Sequence, residues 1–223
     1  MGLSMYNIKK WTKMLTGRSI LHVNQGLGRC FSTTGIEGYY NDLTEKVTRA
    51  PELLDSNKLP LFPLPDGSEF LFPVGIFQYG LGVWDMYLLT KDPIYRDKFL
   101  QCAAWAVENQ DTKGRWSTFA PIYPDAPYGA MAQGEGASLL LRAHKLTGHS
   151  RYIAAAKLAV DFMLKDLKDG GTALHIAQMQ ALYELTGKTI FEQYGQLWLR
   201  QQKSLPCRTR AFIRKAWQKI LER

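Results

Sequence analysis

A chain of 223 residues with 46% hydrophobic and 12% aromatic residues can bury a full core, which argues against disorder. Its longest apolar runs fall far short of the ~20 residues that a membrane-spanning helix needs. The formal net charge of +8 gathers at the two ends, so it does not describe a basic groove in the body, and no helix-turn-helix, zinc or single-strand-binding pattern points to nucleic acid.

Residues 1–30 carry Lys9, Lys10, Lys13, Arg18 and Arg29 and no acid. The lysines interrupt the apolar residues, so this stretch does not read as a signal peptide, and a cytoplasmic protein is expected. Cys30, Cys102 and Cys207 are odd in number and widely spaced, as free thiols rather than a disulfide frame or zinc site. The expected organisation is a basic N-terminal helix and linker over 1–30 and an irregular segment with a β-hairpin over 31–72. An α-hairpin repeat domain follows over 73–204, and a basic amphipathic helix over 205–223.

In the irregular segment, Pro60, Pro63 and Pro65 work against regular structure, and Asp66-Gly67 marks a small hairpin. The repeat that follows is the strongest signal in the chain. Three apolar runs (Gly80 to Thr90, Gly134 to Thr147, His175 to Thr186) each end in Leu-Thr, with an aromatic residue five positions later at Tyr95, Tyr152 and Phe191. Each reads as helix, tight turn, helix, with turns at Lys91-Asp92-Pro93, Gly148-His149-Ser150 and Gly187-Lys188-Thr189. The fold class is therefore mainly all-α: an incomplete α/α toroid of stacked helical hairpins with a short irregular, β-containing N-terminal segment. An arc with missing hairpins exposes apolar surface, so a homo-oligomer is expected.

The last helix sets Phe212, Ile213, Ala216, Trp217, Ile220 and Leu221 on one face and basic residues on the rest. Residues 5–16 repeat the theme more weakly. Two readings stay open for these ends: packing on the arc, or peripheral docking on an anionic membrane at its inner face.

For chemistry, GxxxxGK[ST], a strand–helix GxGxxG, HExxH and GxSxG are all absent, and His22, His144, His149 and His175 have no metal-ligand spacing. No metal and no cofactor are expected. Gly-rich helix starts at Gln78-Tyr79-Gly80-Leu81-Gly82 and Tyr128 to Ser138 stand out, because Gly in a helix costs ~1 kcal/mol against Ala. Either two helices approach closely there, or the backbone approaches a ligand faced by Gln78, Tyr79, Tyr128, Gln133 and Glu135, whose amides and phenols suit sugar hydroxyls.

Phe77 to Thr90, Trp105 to Gln110, Tyr128 to Ser138, Asp169-Gly-Gly171, Gly38-Tyr-Tyr-Asn-Asp-Leu43 and Leu174-His-Ile-Ala-Gln178 resemble, in order, the C-terminal domain of bacterial-type D-glucuronyl C5-epimerases. The resemblance runs over roughly residues 19–215, and Met131-Ala-Gln-Gly-Glu-Gly-Ala-Ser138 is its most specific piece. It implies an α/α toroid that inverts C5 of D-glucuronate to L-iduronate inside a heparosan-like, uronic-acid-containing polysaccharide, with tyrosines as acid and base. The sequence departs from the family between Gly171 and His175. Only Thr172, Ala173 and Leu174 stand where the family has a long segment bearing its catalytic tyrosines and an arginine, and Gly171 stands for a further tyrosine. The chain thus resembles a member with an internal deletion. Tyr79 and Tyr128 are the remaining candidates for acid–base work, and Gln78, Gln133, Glu135 and His175 are the candidates for substrate binding. Two functions stay open: an isomerase of this kind, or a catalytically impaired member acting as a uronate-glycan-binding or membrane-docked scaffold.

Overall fold

A computed structural model describes residues 25–49, 54–64, 66–121 and 127–164, with Pro124 and isolated positions between 8 and 23 and between 187 and 200. The chain forms two compact units, residues 1–173 and 174–223. Among the described residues the elements are α1 (Glu45–Thr48), β1 (Phe62–Pro63), β2 (Glu69–Phe70), α2 (Pro73–Thr90), α3 (Pro93–Glu108), α4 (Ala130–Thr147) and α5 (Ser150–Met163). The protein is mainly helical among the described residues, with one small sheet, as expected. The third hairpin and the basic C-terminal helix lie outside the described residues, apart from positions such as Gly187, whose φ of 65° suits the turn expected there. Among the described residues, no helix is long and apolar enough to cross a membrane.

The two-stranded sheet is antiparallel, with Phe62 opposite Phe70 and Pro63 opposite Glu69. Its turn is the one expected: Asp66 Oδ1 accepts from the Ser68 backbone N–H at 3.0 Å and from its hydroxyl at 2.6 Å. Pro63 is accommodated within β1 because a two-stranded ladder leaves each strand an open edge that needs no donor.

The two hairpins close where the turn residues predict. Lys91 takes the left-handed conformation (φ 61°) after α2, and Gly148 does so after α4 (φ 72°). Asp92 then caps α3 by accepting from the Ile94 N–H, and Pro93 occupies the first turn, where its missing donor costs nothing. The leading helix of the first hairpin begins at Pro73, five residues before the Gly-rich stretch that opens at Gln78, whereas that of the second begins at Ala130, inside the stretch Tyr128 to Ser138.

α2 packs against α3 and against α4, α4 packs against α5, and α3 touches both α4 and α5. The leading helices of the two hairpins therefore lie side by side. α2 is buried on every side from Pro73 to Asp85, as expected of a helix that is apolar all round. Phe77, with Trp116 edge-on at 4.9 Å and Trp105 at 6.0 Å, anchors the core, and the Trp116 indole N–H donates to the Ala106 carbonyl at 2.8 Å. The glycines permit this closeness. A Cβ at Gly80 would stand 2.8 Å from both Cys102 on α3 and Leu139 on α4. Of the two readings of the Gly-rich starts, close helix approach accounts for Gly80.

Candidate functional site

Polar side chains are set into the apolar inner helices along one stripe of each. On α2 the stripe is Gln78, Gly82 and Asp85, at i, i+4 and i+7; on α4 it is Glu135, Ser138 and Arg142, at i, i+3 and i+7. Both stripes meet the N-terminal segment. Gly82 leaves room for the Leu43 carbonyl oxygen, which a Cβ would strike. Asp85 Oδ1 accepts from the Tyr39 N–H at 3.3 Å. Arg142 donates from Nη2 to the Gly38 carbonyl at 2.6 Å and from Nε to the Glu37 carbonyl at 3.3 Å, while Nη1 bonds Ser138. The Trp84 indole N–H also donates to the Glu37 carbonyl. Arg142 spans the Tyr39 ring, its guanidinium 5.5 Å from the ring centre.

At the other end of this seam, the Gln78 amide donates from Nε2 to Glu135 Oε1 at 2.8 Å, and the same nitrogen lies 3.9 Å from the Met131 sulfur. Met131 is exposed, whereas Glu135 is only 6% exposed. Glu135 Oε2 has no hydrogen-bond partner among the described residues. Burial pushes the Glu135 carboxyl up to about 8, against the opposing pull of the Gln78 hydrogen bond and of Lys46. Lys46, on α1 and 3% exposed, is pulled down to about 8 by burial, with Glu135 acting the other way. Tyr39 is held well above the usual phenol range, first by burial and then by Glu135. Burial also raises Asp85 to about 6 and lowers Arg142 to about 10.

The sequence-derived candidates fall into separate surroundings. Gln78 and Glu135 come together, on different helices. Gln133 is fully buried on α4, two positions from Glu135 and hence on another face, and neither atom of its amide group has a partner among the described residues. Tyr79 is buried in the core with Cys102 and Tyr95 of α3 as its ionisable neighbours, and burial lifts its phenol to about 12. Tyr128 is half-buried, bridged to Ser117, with the Arg115 guanidinium 4.0 Å over its ring and Phe162 edge-on at 5.9 Å. His175 lies outside the described residues. Among the described residues, no group of three His, Cys, Asp or Glu side chains is placed to hold a metal ion.

Four residues of the seam escaped sequence reasoning: Tyr39, Lys46, Asp85 and Arg142. The i, i+3, i+7 spacing of Glu135, Ser138 and Arg142 in an otherwise apolar run is a legible polar stripe. Lys46 carries no such signal, because an isolated lysine in a short polar helix reads as solvated.

The class defined by this fold and site is a mainly helical protein of paired hairpins whose inner helices present a buried polar seam. Residues 110–173 match the family model described as D-glucuronyl C5-epimerase C-terminus. The chain is also 33% identical over 81 residues to D-glucuronyl C5-epimerase of Caenorhabditis elegans, a match covering 33% of this chain and 13% of that protein. No solved structure matches the chain. This segment, which contains Tyr128, Gln133, Glu135 and Arg142, is similar to the C-terminal domain of D-glucuronyl C5-epimerases, and the match spans only a small part of the relative's length.

Proposed function

We propose that the chain is a D-glucuronyl C5-epimerase-like protein that acts on a uronic-acid-containing polysaccharide of the heparosan type. The observation that carries this reading is the family match over residues 110–173, which spans the Gly-rich start of α4 with Glu135 hydrogen-bonded to Gln78. The reaction removes the proton at C5, α to the uronate carboxylate, and returns a proton to the opposite face. It requires a base, an acid and donors that hold the carboxylate while negative charge develops. A group ionising near neutral pH suits proton transfer, and Glu135 is such a group.

Incubation of the folded chain with heparosan and its N-sulfated form in deuterated buffer tests the proposal, with NMR reading the uronate C5 position. Deuterium at C5 is the expected result. Full retention of protium would sink the enzymatic reading.

One observation favours a second reading, a catalytically impaired glycan-binding member. Tyr79 is set beside Cys102 and Tyr95 of α3, whereas Tyr128 sits against Arg115 and Phe162, so the two remaining tyrosines stand in different surroundings. The family match also ends at residue 173, where the family's tyrosine-bearing segment is expected and only Leu174 separates Ala173 from His175. A positioned acid or base contributes ~10²–10⁴ in rate, so loss of several removes most catalysis. On this reading calorimetry detects heparosan oligosaccharides binding while C5 keeps its protium, and a calorimetric null would count against it.

A further inference from the structure

We propose that Lys46 is a positioning residue for Glu135, so that the N-terminal segment completes the polar site formed by the leading helices of the two hairpins. The inference rests on the reading of Glu135 as part of the functional site, and it adds an element that lies outside the matched segment 110–173.

The geometry comes from three elements. α1 packs on α2, and Leu43, just before α1, is buried with its carbonyl oxygen against Gly82. Val47 Cγ2 would stand 3.2 Å from a Cβ at Gly82. Gly82 is one helical turn from Gln78 on the same face of α2, and Gln78 holds Glu135 of α4. The segment from 43 to 47 is thus seated on the face of α2 that bears the amide partner of Glu135. Lys46 is buried within that segment, although a lysine without compensation avoids the interior.

The groups acting on Glu135 are Gln78 from α2 and Lys46 from α1; those acting on Lys46 are Glu135 and Arg49, and Glu135 in turn raises Tyr39 of the preceding loop. Among them Lys46 supplies the positive charge that favours the carboxylate, and Gln78 supplies the donor that fixes Oε1. The ammonium and the carboxyl each oppose the cost of burying the other, so each holds the other's protonation near neutrality. An acid–base group governed this way responds to how the N-terminal segment is seated.

The test is a carbon-13 NMR titration of the Glu135 carboxyl in the isotope-labelled full chain, assigned by its loss in E135Q. In K46M the Glu135 midpoint moves upward from about 8 by on the order of one pH unit, a tenfold change in its protonation equilibrium, and K46R brings it back. A role for Lys46 in packing alone lowers the melting temperature of K46M without moving that midpoint; an unmoved midpoint in folded K46M overturns the proposal. Should K46M not fold, the nitrogen-15 signal of Lys46 Nζ answers from the other side. In E135Q, Lys46 gives up its proton below about 8, and an unchanged Lys46 titration overturns the proposal equally. Both titrations are independent of catalysis. Absence of deuterium exchange in the unmodified chain sinks the epimerase reading and leaves them intact, whereas unmoved titrations sink the role of Lys46 and leave that reading intact.

Discussion

The Gln78 amide nitrogen lies 2.8 Å from Glu135 Oε1, joining α2 to α4 through two side chains 57 positions apart in sequence. Around this bond the helices are packed through apolar groups, so an ionised carboxyl is costly there and the amide donor offsets only part of the cost. The bond binds the two hairpins together and holds an acid in a state that pH can change.

The stability of the fold therefore depends on pH in a defined sense. Glu135 ionises near 4.5 when unfolded and at about 8 when folded, so between those values the folded chain holds a proton that the unfolded chain releases. Stability falls as pH rises through that window. Asp85 adds to the fall between 3.8 and about 6. Lys46 acts in the opposite sense above about 8, where the folded chain lacks a proton that the unfolded one keeps until 10.5. In E135Q the fall between pH 6 and 8 disappears. Urea unfolding at stepped pH measures it, and a slope in E135Q equal to that of the unmodified chain would refute the assignment.

Arg142 pins the loop before α1 to α4. It is 6% exposed and donates to two carbonyls more than a hundred positions away, those of Glu37 and Gly38. R142M keeps much of the side-chain bulk but leaves those oxygens short of a donor, at a cost of about 3 kcal/mol. Hydrogen exchange at the Tyr39 amide, bonded to Asp85, reports whether the loop is released. R142M should accelerate it strongly. R142K, a point donor without the planar fork, should fall between the two.

The hairpins were legible in the sequence because their information is local: apolar period, a Gly or Pro at each turn, and an aromatic at a fixed distance. Pro93, Gly148 and the Asp66-Gly67 turn all act where the chain chemistry puts them. The meeting of Gln78 with Glu135 was half legible, since both were candidates but nothing in either motif named the other as partner. Lys46 and Tyr39 were not legible, because their roles come from contacts between segments far apart and leave no periodic trace, and Asp85 shares the stripe of Gln78 without anything to name Tyr39 as its partner. Tyr79 shows the reverse failure. It sits in a conspicuous motif beside Gln78, yet one step along a helix turns a side chain by about 100°, and Tyr79 faces α3.

The repeat itself yields a stabilising substitution. Asp92 and His149 occupy the same place in successive hairpins with nearly the same backbone, φ −70°, ψ 123° and φ −67°, ψ 122°. Asp92 caps its helix, whereas His149 makes no side-chain cap. H149D should supply the missing bond to the Arg151 N–H and stabilise the chain by about 1 kcal/mol, and D92A should cost about the same. Thermal or urea unfolding of the two variants would show shifts of opposite sign; a destabilised H149D would mean that the His149 ring, 6.4 Å from Tyr152, contributes more than the cap.

Gly136 sets two effects against each other, and their sizes decide the sign. Alanine gains ~1 kcal/mol in helix propensity over glycine. Here, however, the new methyl would stand 2.7 and 2.8 Å from Trp116 ring atoms and 3.0 Å from Phe77. The indole has little freedom to retreat, because its N–H is bonded to the Ala106 carbonyl at 2.8 Å and its ring is seated against Phe77. Overpacking of this kind costs ~1–3 kcal/mol, so G136A should be destabilised by roughly 1 kcal/mol net. Near-ultraviolet circular dichroism should change with it, since Trp116 must shift. A neutral or stabilised G136A with an unaltered aromatic spectrum would show that the core between α2 and α4 has slack, and that Gly136 is needed there for something other than close packing.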